Sequence, residues 1–285
     1  MSEVLLATFC LLPDGEPGGG LLVDALAERG VAARWVVWDD AGVDWAAADL
    51  VVVRSTWDYQ RRYAEFLAWA RGVEKETTLL HGSDVLAWNA DKAYLLELAA
   101  DVPVVPTALL EDRGLAEGLA AALERWGTVV VKPRTGAGGV GVVVVERTDD
   151  PRLEGLVAGP WVVQPLVESV RTTGESSMWV LDGEVVGQVD KRPAGGEVRV
   201  HELYGGTSAA VPVDPARAEL ARAAVAAAAR RLGSPPAYAR VDLVLLEGGW
   251  AVGELELIEP GLYLDLAPEL AGPFADTVVS ALGRG

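Results

Sequence analysis

The chain has 285 residues, a single cysteine, and a formal charge of −18 from 42 acidic and 24 basic residues. That balance argues against nucleic acid and anionic membrane surfaces as partners, because both need cationic counterparts. The lone Cys10 excludes an intrachain disulfide and a cysteine-rich metal site.

With 51% apolar residues there is material for two or three small domains or one large one. No window has the apolar length that a membrane helix needs. The start, MSEVLLATF, lacks a basic n-region and reads as a first strand, so a cytoplasmic protein is expected. The loop PDGEPGGG (13–20) follows, and then LLVDALAERG, a helix with Gly30 as its C-cap. Residues 34–38 and 50–53 are predicted strands, and 63–72 a helix. This order predicts a small α/β layer with a mainly parallel sheet.

VVVRSTWDY (51–59) places Arg54, Ser55, Thr56, Trp57, Asp58 and Tyr59 beyond the carboxyl end of a strand, where open α/β sheets bind ligands. A cation, two hydroxyls, a carboxylate and aromatics make a rim for a small polar substrate. The alternative is a turn in which Arg54 and Asp58 pair with each other. NADKAYLLEL (89–98) predicts a helix with Asn89 or Asp91 at its cap. Lys92 then falls in the first turn, against the helix dipole. Residues 102–106 run extended through two prolines, and 115–126 form a helix.

TVVVKPRTGAGGVGVVVVE (128–146) is two β-branched runs joined by a glycine-rich turn, with Lys132 at its stem. Gly136, Gly138, Gly139 and Gly141 let backbone N–H groups approach an anion, and Lys132 adds a point charge. Gly136, Gly138 and Gly141 also satisfy G-x-G-x-x-G, but the dinucleotide fold needs a helix after that turn, and a strand follows here. Protein kinases use the pattern between strands, yet their H-R-D and D-F-G signatures are missing. A plain hairpin without ligand remains open from the glycines alone.

The later half is rich in strands. WVVQPLV (161–167) is followed by strands at 177–181 and 185–190 around Asp182-Gly183, a strong hairpin signal. Lys191, Arg192 and Arg199 concentrate cations around the turn at 194–197, with a strand expected at 198–203. Residues 215–232 are an alanine-rich helix with Gly233 past its end. YARVDLVLLEGGWAVGELELIEP then reads as strand, turn, strand. Asp242 lies on the first strand; Glu254 and Glu256, two apart, share one face of the second, and Glu259 follows. Either this is a solvated acidic face or an oxygen-rich Mg²⁺ site; the apolar flanks Val241, Leu243, Leu255 and Leu257 favour the metal.

Taken together, these motifs resemble the ATP-grasp superfamily, and are most similar to its glutathione-synthetase-like branch over residues 89–265. The combination RSTWDY, WNADKAYL, GGEVRV and ELELIEP resembles a bacterial subgroup that includes the O-ureido-D-serine cyclo-ligase of D-cycloserine biosynthesis. The resemblance implies an ATP-grasp fold of mixed α/β (α+β) class with an N-terminal Rossmann-like domain. Its parts would be a substrate-side domain (1–88), a small subdomain with the glycine-rich lid (89–160), and a C-terminal subdomain with the metal site (161–285).

It also implies roles. Lys92 and Lys132 would contact ATP phosphates under a lid of Thr135, Gly136, Gly138 and Gly139. Gln164, Pro165, Leu166 and Val167 would line the adenine pocket, and Glu175 would hold the ribose. Lys191 and Arg199 would bind the transferred phosphate and the substrate carboxylate. Asp242, Glu254 and Glu256 would hold two Mg²⁺. Glu256 replaces a usual asparagine, Lys191 a usual arginine, and Ser177 an expected arginine, which argues against glutathione synthesis itself. The implied reaction joins a carboxylate, activated as an acyl phosphate, to an amine of a small amino-acid-like substrate, and ring closure within one molecule is a special case. No nucleophilic side chain is required, in keeping with one Cys and two His. A kinase of the same fold, or a nucleotide-binding module without catalysis, are the alternatives. Homo-oligomers are common among such enzymes.

Overall fold

The computed structural model describes residues 2–111, 113–154 and 160–283. β1 (Glu3–Thr8), α1 (Gly19–Glu28), β2 (Ala32–Val37) and β3 (Leu50–Ser55) build a parallel sheet of order β2-β1-β3. β1 and β3 are apolar on both faces because both faces are covered. Val4, Leu6, Leu50 and Val52 pack beneath α1 and the last helix of the chain. Leu5, Ala7, Val51 and Val53 pack with Phe66, Ala70 and Leu86 from α2 (Tyr63–Glu76) and α3 (Ser83–Ala90).

The helix expected over 89–98 is in fact split. Asn89 falls in the last turn of α3, which ends at Ala90, and α4 (Tyr94–Leu98) starts after a break. The Asp91 carboxylate accepts from the Ala93 amide at 2.9 Å, a local turn that competes with helix continuation. Lys92 therefore stands in the link between helices, outside any first turn.

A second, antiparallel sheet of order β4-β7-β5-β6 follows, from β4 (Ala108–Leu110), α5 (Leu115–Trp126), β5 (Val129–Pro133), β6 (Val143–Val145) and β7 (Trp161–Pro165). Leu119 and Ala122 of α5 seat on Val129, Val131 and Val163. Because β7 pairs with both β4 and β5, the small unit continues past the boundary expected at 160. Residues 155–159 of that boundary lie outside the described residues.

The third sheet, antiparallel with order β10-β9-β8-β11-β12, comprises β8 (Glu175–Leu181), β9 (Glu184–Arg192), β10 (Thr207–Val211), β11 (Tyr238–Leu246) and β12 (Gly249–Glu256), with α6 (Pro215–Leu232) between β10 and β11 in sequence. Asp182 (φ 47°) and Gly183 (φ 85°) make the expected tight turn. The strand expected at 198–203 is absent. Glu197 accepts from the Val198 and Arg199 amides, and the His201 ring from the Leu203 amide, so the donors a ladder needs are used locally. β10 takes the edge instead.

Asp214 caps α6 through the Arg217 amide at 2.9 Å, and Gly233 (φ 78°) ends it. Its alanines allow close packing on Met178, Val180, Ala239, Val241, Leu243 and Leu255. Strand alternation then turns Ser177, Asp242, Glu254 and Glu256 to the opposite face, toward the cleft. α7 (Ala271–Leu282) returns to the start of the chain, where Phe274 and Val278 meet Leu22 and Leu26. Among the described residues no helix is long and apolar enough to cross a membrane.

Candidate active site

β11 and β12 place Asp242 opposite Glu254 and Arg240 opposite Glu256. The register shifts just after Asp242, a bulge that leaves Gly253 extra and re-aims the neighbouring side chains. One carboxylate oxygen from each of Asp242, Glu254 and Glu256 lies within 4.8 Å of the others. Such crowding of like charge needs cations. Arg240 donates to both Asp242 oxygens at 2.9 Å and also to Glu256. Lys92 donates to Glu254 at 2.6 Å, and Lys191 to Glu175 at 3.0 Å, with Asp242 3.7 Å away. Arg240 was not a sequence-level candidate; the signal available was its spacing of two from Asp242 on one strand.

The electrostatics follow from burial against these pairs. Burial opposes the charge on Asp242, but Arg240 and Lys191 hold its carboxyl well below the usual range. Burial likewise opposes Glu254, and Lys92 and Lys132 bring it down. Burial, together with Asp242 and Glu254, pushes Glu256 up to about 7 despite Arg240. Burial raises Glu175 in the same way. An all-carboxylate set of this spacing suits Mg²⁺, a hard cation that also takes phosphate oxygens, so the residues present fit the metal.

The glycine-rich loop and the two lysines next to it sit beside this trio. Burial lowers the Lys132 ammonium, on β5, and among the described residues it has no hydrogen bond or ion pair. Lys92 also donates to the Gly136 carbonyl at 2.8 Å, tying the loop down. Gly138, Gly139 and Gly141 hold φ of 61°, 70° and 75°, which favours glycine. A Cβ on Gly139 would lie 3.2 Å from the Tyr204 ring and 3.4 Å from Arg199 Cδ. The lid tip thus rests on the segment that carries Arg199, whose guanidinium stacks 3.6 Å from the Tyr204 ring centre and pairs with Glu197. Lys191 is buried in β9 and makes no direct contact with Arg199. Thr135 lies half-buried in the loop. Gln164 turns inward to Thr107 Oγ1 at 2.9 Å, while Pro165, Leu166 and Val167 are half-buried at the edge of the small sheet. A cavity of about 860 Å³ opens between Val142–Val144, Arg147, Arg152, Arg171 and Gly196–Arg199. Asp242, Glu254 and Glu256 do not line it.

The expected rim at 54–58 is not a rim. Arg54, Ser55 and Thr56 are each 0% exposed, since β3 is covered on both faces. Arg54 does not pair with Asp58, which accepts from Trp38 Nε1 at 2.9 Å. It donates to Glu16 and to the Pro260 carbonyl, both at 2.7 Å, between the rings of Tyr238 and Phe274. Ser55 Oγ lies 2.8 Å from Thr8 Oγ1. Trp57, half-buried, donates to the Glu259 carbonyl at 3.1 Å. Glu16 also accepts from the Leu262 amide at 2.7 Å, and Trp179 donates to the Gly261 carbonyl at 3.1 Å. The RSTWDY stretch therefore grips the segment 259–262, and Glu16 and Trp179 complete the grip. Glu16 and Asp14 are the two acids of PDGEPGGG, and nothing in that loop distinguished Glu16.

Two family models match the chain: the N-terminal domain of the D-cycloserine synthetase DcsG over residues 4–81, and the ATP-grasp domain of prokaryotic glutathione synthetase over 97–234. The cycloserine biosynthesis protein DcsG of Streptomyces lavendulae is 33% identical over 278 residues, 92% of each chain. A glutathione synthetase of Rhodopseudomonas palustris is 24% identical over 193 residues, 66% of this chain and 60% of that one. The crystal structure of D-cycloserine synthetase DcsG superposes with a TM-score of 0.86 at 31% identity, over 99% of this chain and all of that one. The D-alanine–D-alanine ligase of Bacillus anthracis shares the fold at a TM-score of 0.66 and 14% identity, over 100% of this chain and 98% of that one. The chain thus belongs to the ATP-grasp ligases, in the family of D-cycloserine synthetase DcsG, and is an ATP-binding enzyme that forms a carbon–nitrogen bond.

Proposed function

We propose that this enzyme is an ATP- and Mg²⁺-dependent carboxylate–amine ligase that acts on a small amino-acid-like substrate through an acyl phosphate, with ring closure within one molecule as its specific reaction. The observation that carries the reading is the Lys132 ammonium, which among the described residues has no hydrogen bond or ion pair, beside three carboxylates confined within 4.8 Å. Phosphoryl transfer asks for positioning and charge neutralisation, and needs no covalent help from the protein. Asp242, Glu254 and Glu256 would hold Mg²⁺, two ions in this reading, which would offset phosphate charge.

The substrate carboxylate oxygen takes the γ-phosphoryl group and ADP leaves. The nitrogen then attacks the acyl carbon, loses a proton, and phosphate departs. Lys92 and Lys132 bind the phosphates, and Lys191 and Arg199 the transferred group and the substrate carboxylate. Thr135, Gly136, Gly138 and Gly139 cover them and keep water from the acyl phosphate. Gln164–Val167 border the adenine and Glu175 the ribose. The DcsG relative's cycloserine biosynthesis supports ring closure on an O-ureido-D-serine-like compound.

ADP release should be measured with O-ureido-D-serine and with other amino acids, singly and in pairs. Turnover of one compound alone is expected; a strict need for two would replace ring closure with intermolecular ligation. Lys132→Ala and Glu254→Gln should each lower ADP release by roughly 100-fold or more. Full turnover in either variant would refute the site. A stable phosphorylated product by mass spectrometry would make the enzyme a kinase. An ATP-induced melting shift without ADP release from any compound would leave a nucleotide-binding module.

A further inference from the structure

The cleft holds Glu175, Asp242, Glu254, Glu256 and Glu259 as acids, and Lys92, Lys132, Lys191 and Arg240 as cations. Among the described residues every one of these has a side-chain hydrogen bond or ion pair except Lys132 and Glu259. The two do not neutralise each other. Lys132 feels Glu254 and Glu175, whereas Glu259 feels Glu256, Lys92, Arg240 and Glu254. The cleft therefore carries an unpaired lysine beside the glycine-rich loop and, near the N-terminal domain, an unpaired carboxyl that burial and the neighbouring Glu256 raise well above the usual carboxylate range.

Glu259 is only 7% exposed, and a buried acid without a partner is costly unless something arrives to meet it. Its backbone is unusually well fixed. Across 259–262, the carbonyls of Glu259, Pro260 and Gly261 accept from Trp57, Arg54 and Trp179, and the Leu262 amide donates to Glu16. Three of those four anchors belong to the N-terminal domain. Such support is what a preorganised binding group needs. Glu259 does not complete the metal cluster, whose mutually close oxygens come from Asp242, Glu254 and Glu256 alone among the described residues.

We infer that Glu259 receives the protonated amino group of the substrate, so that the enzyme selects a free α-ammonium carboxylic acid and rejects the same acid without its amine. This rests on the ligase reading above and adds the substrate's charge pattern to it: anionic phosphates meet Lys132 at one end, and the ammonium meets Glu259 at the other. The half-buried Trp57 ring, 3.4 Å from a Cβ placed on Gly261, forms the adjoining wall.

The test compares ADP release with O-ureido-D-serine, and with every amino acid that turns over, against their desamino counterparts. The wild-type enzyme should prefer the amino compound by roughly 30-fold or more in kcat/KM, the loss that accompanies an unpaired buried charge. Glu259→Gln should abolish that preference by raising KM for the amino compound, with KM for ATP and the Mg·ATP-induced melting shift kept. Glu259→Asp, which retains the charge, should restore part of it. Equal rates of the wild type on both compounds would overturn the inference while leaving the ligase reading intact. A Glu259→Gln enzyme that loses Mg·ATP binding but keeps the preference would also overturn it, making Glu259 a metal-side residue. A panel that releases no ADP from an enzyme still shifted by Mg·ATP would sink the ligase reading, and this inference with it.

Discussion

His81 joins the N-terminal unit to the five-stranded sheet through its ring. Nδ1 donates to the Leu257 carbonyl at 2.8 Å, and Nε2 accepts from the amides of Ala237 and Tyr238 at 3.0 and 3.2 Å. Nε2 can accept only while unprotonated, and burial lowers the imidazole from 6.5 to about 4. The unfolded chain takes this proton near pH 6.5 and the folded chain only near pH 4, so the unfolded state binds more protons between them. Stability from His81 is therefore complete above about pH 6.5 and falls as the pH drops toward 4, by up to ~3 kcal/mol. Urea midpoints at pH 7 and pH 4.5 should separate more for the wild type than for His81→Gln; equal separations would remove this account. At this scale the sequence offered candidates where the local pattern itself was unusual. Asp242, Glu254 and Glu256 declared themselves by strand spacing and apolar flanks, and Lys132 by the loop it precedes. Arg54 and Trp57 misled because their partners, Glu16 and Glu259, are 38 and 202 positions away.

Among elements, β8 and β9 carry Glu175 and Lys191 side by side, and a glycine just before β8 lets the two strands approach. Gly174, at φ +88°, lies where a Cβ would stand 2.1 Å from the Lys191 carbonyl oxygen. No side chain fits without moving β9, and Lys191 and Glu175 would move with it. Gly174→Ala should cost at least ~2 kcal/mol in urea denaturation and reduce ADP release in proportion to the displaced Lys191; wild-type values on both measures would refute the close-approach argument. The elements that were legible carried their own punctuation: Pro215 and Gly233 around α6, Asp182-Gly183 between β8 and β9. Illegible ones were decided by tertiary competition. Residues 198–203 had strand composition, yet Glu197 and His201 captured their amides. Residues 89–98 had helical composition, yet Asp91 turned the chain and delivered Lys92 to Glu254.

Across the whole molecule, the small parallel sheet and the β8–β9 and β11–β12 hairpins were readable, but β4, β10 and the sheet that β7 would join were not, since a five-residue apolar strand fits either. Nor did the sequence show that α7 belongs to the first sheet. Leu22, Leu26, Phe274 and Val278 form one core with Val4, Leu6 and Trp179, so the beginning, the middle and the end of the chain meet there. Residues 1–90 expressed alone should therefore lack a cooperative melting transition and bind a hydrophobic dye, whereas the full chain should melt cooperatively; a sharp transition in the fragment would contradict this. The placement of α7 also has a temporal side. During synthesis α1 can cover part of one face of the first sheet early, but the rest of that face waits for α7, which follows β3 by more than 200 residues. Until then part of that apolar face is exposed to neighbouring chains and to chaperones, so α7 acts as a quality checkpoint: a chain made without it would keep Lys92, Lys132 and the three clustered carboxylates yet be marked for degradation.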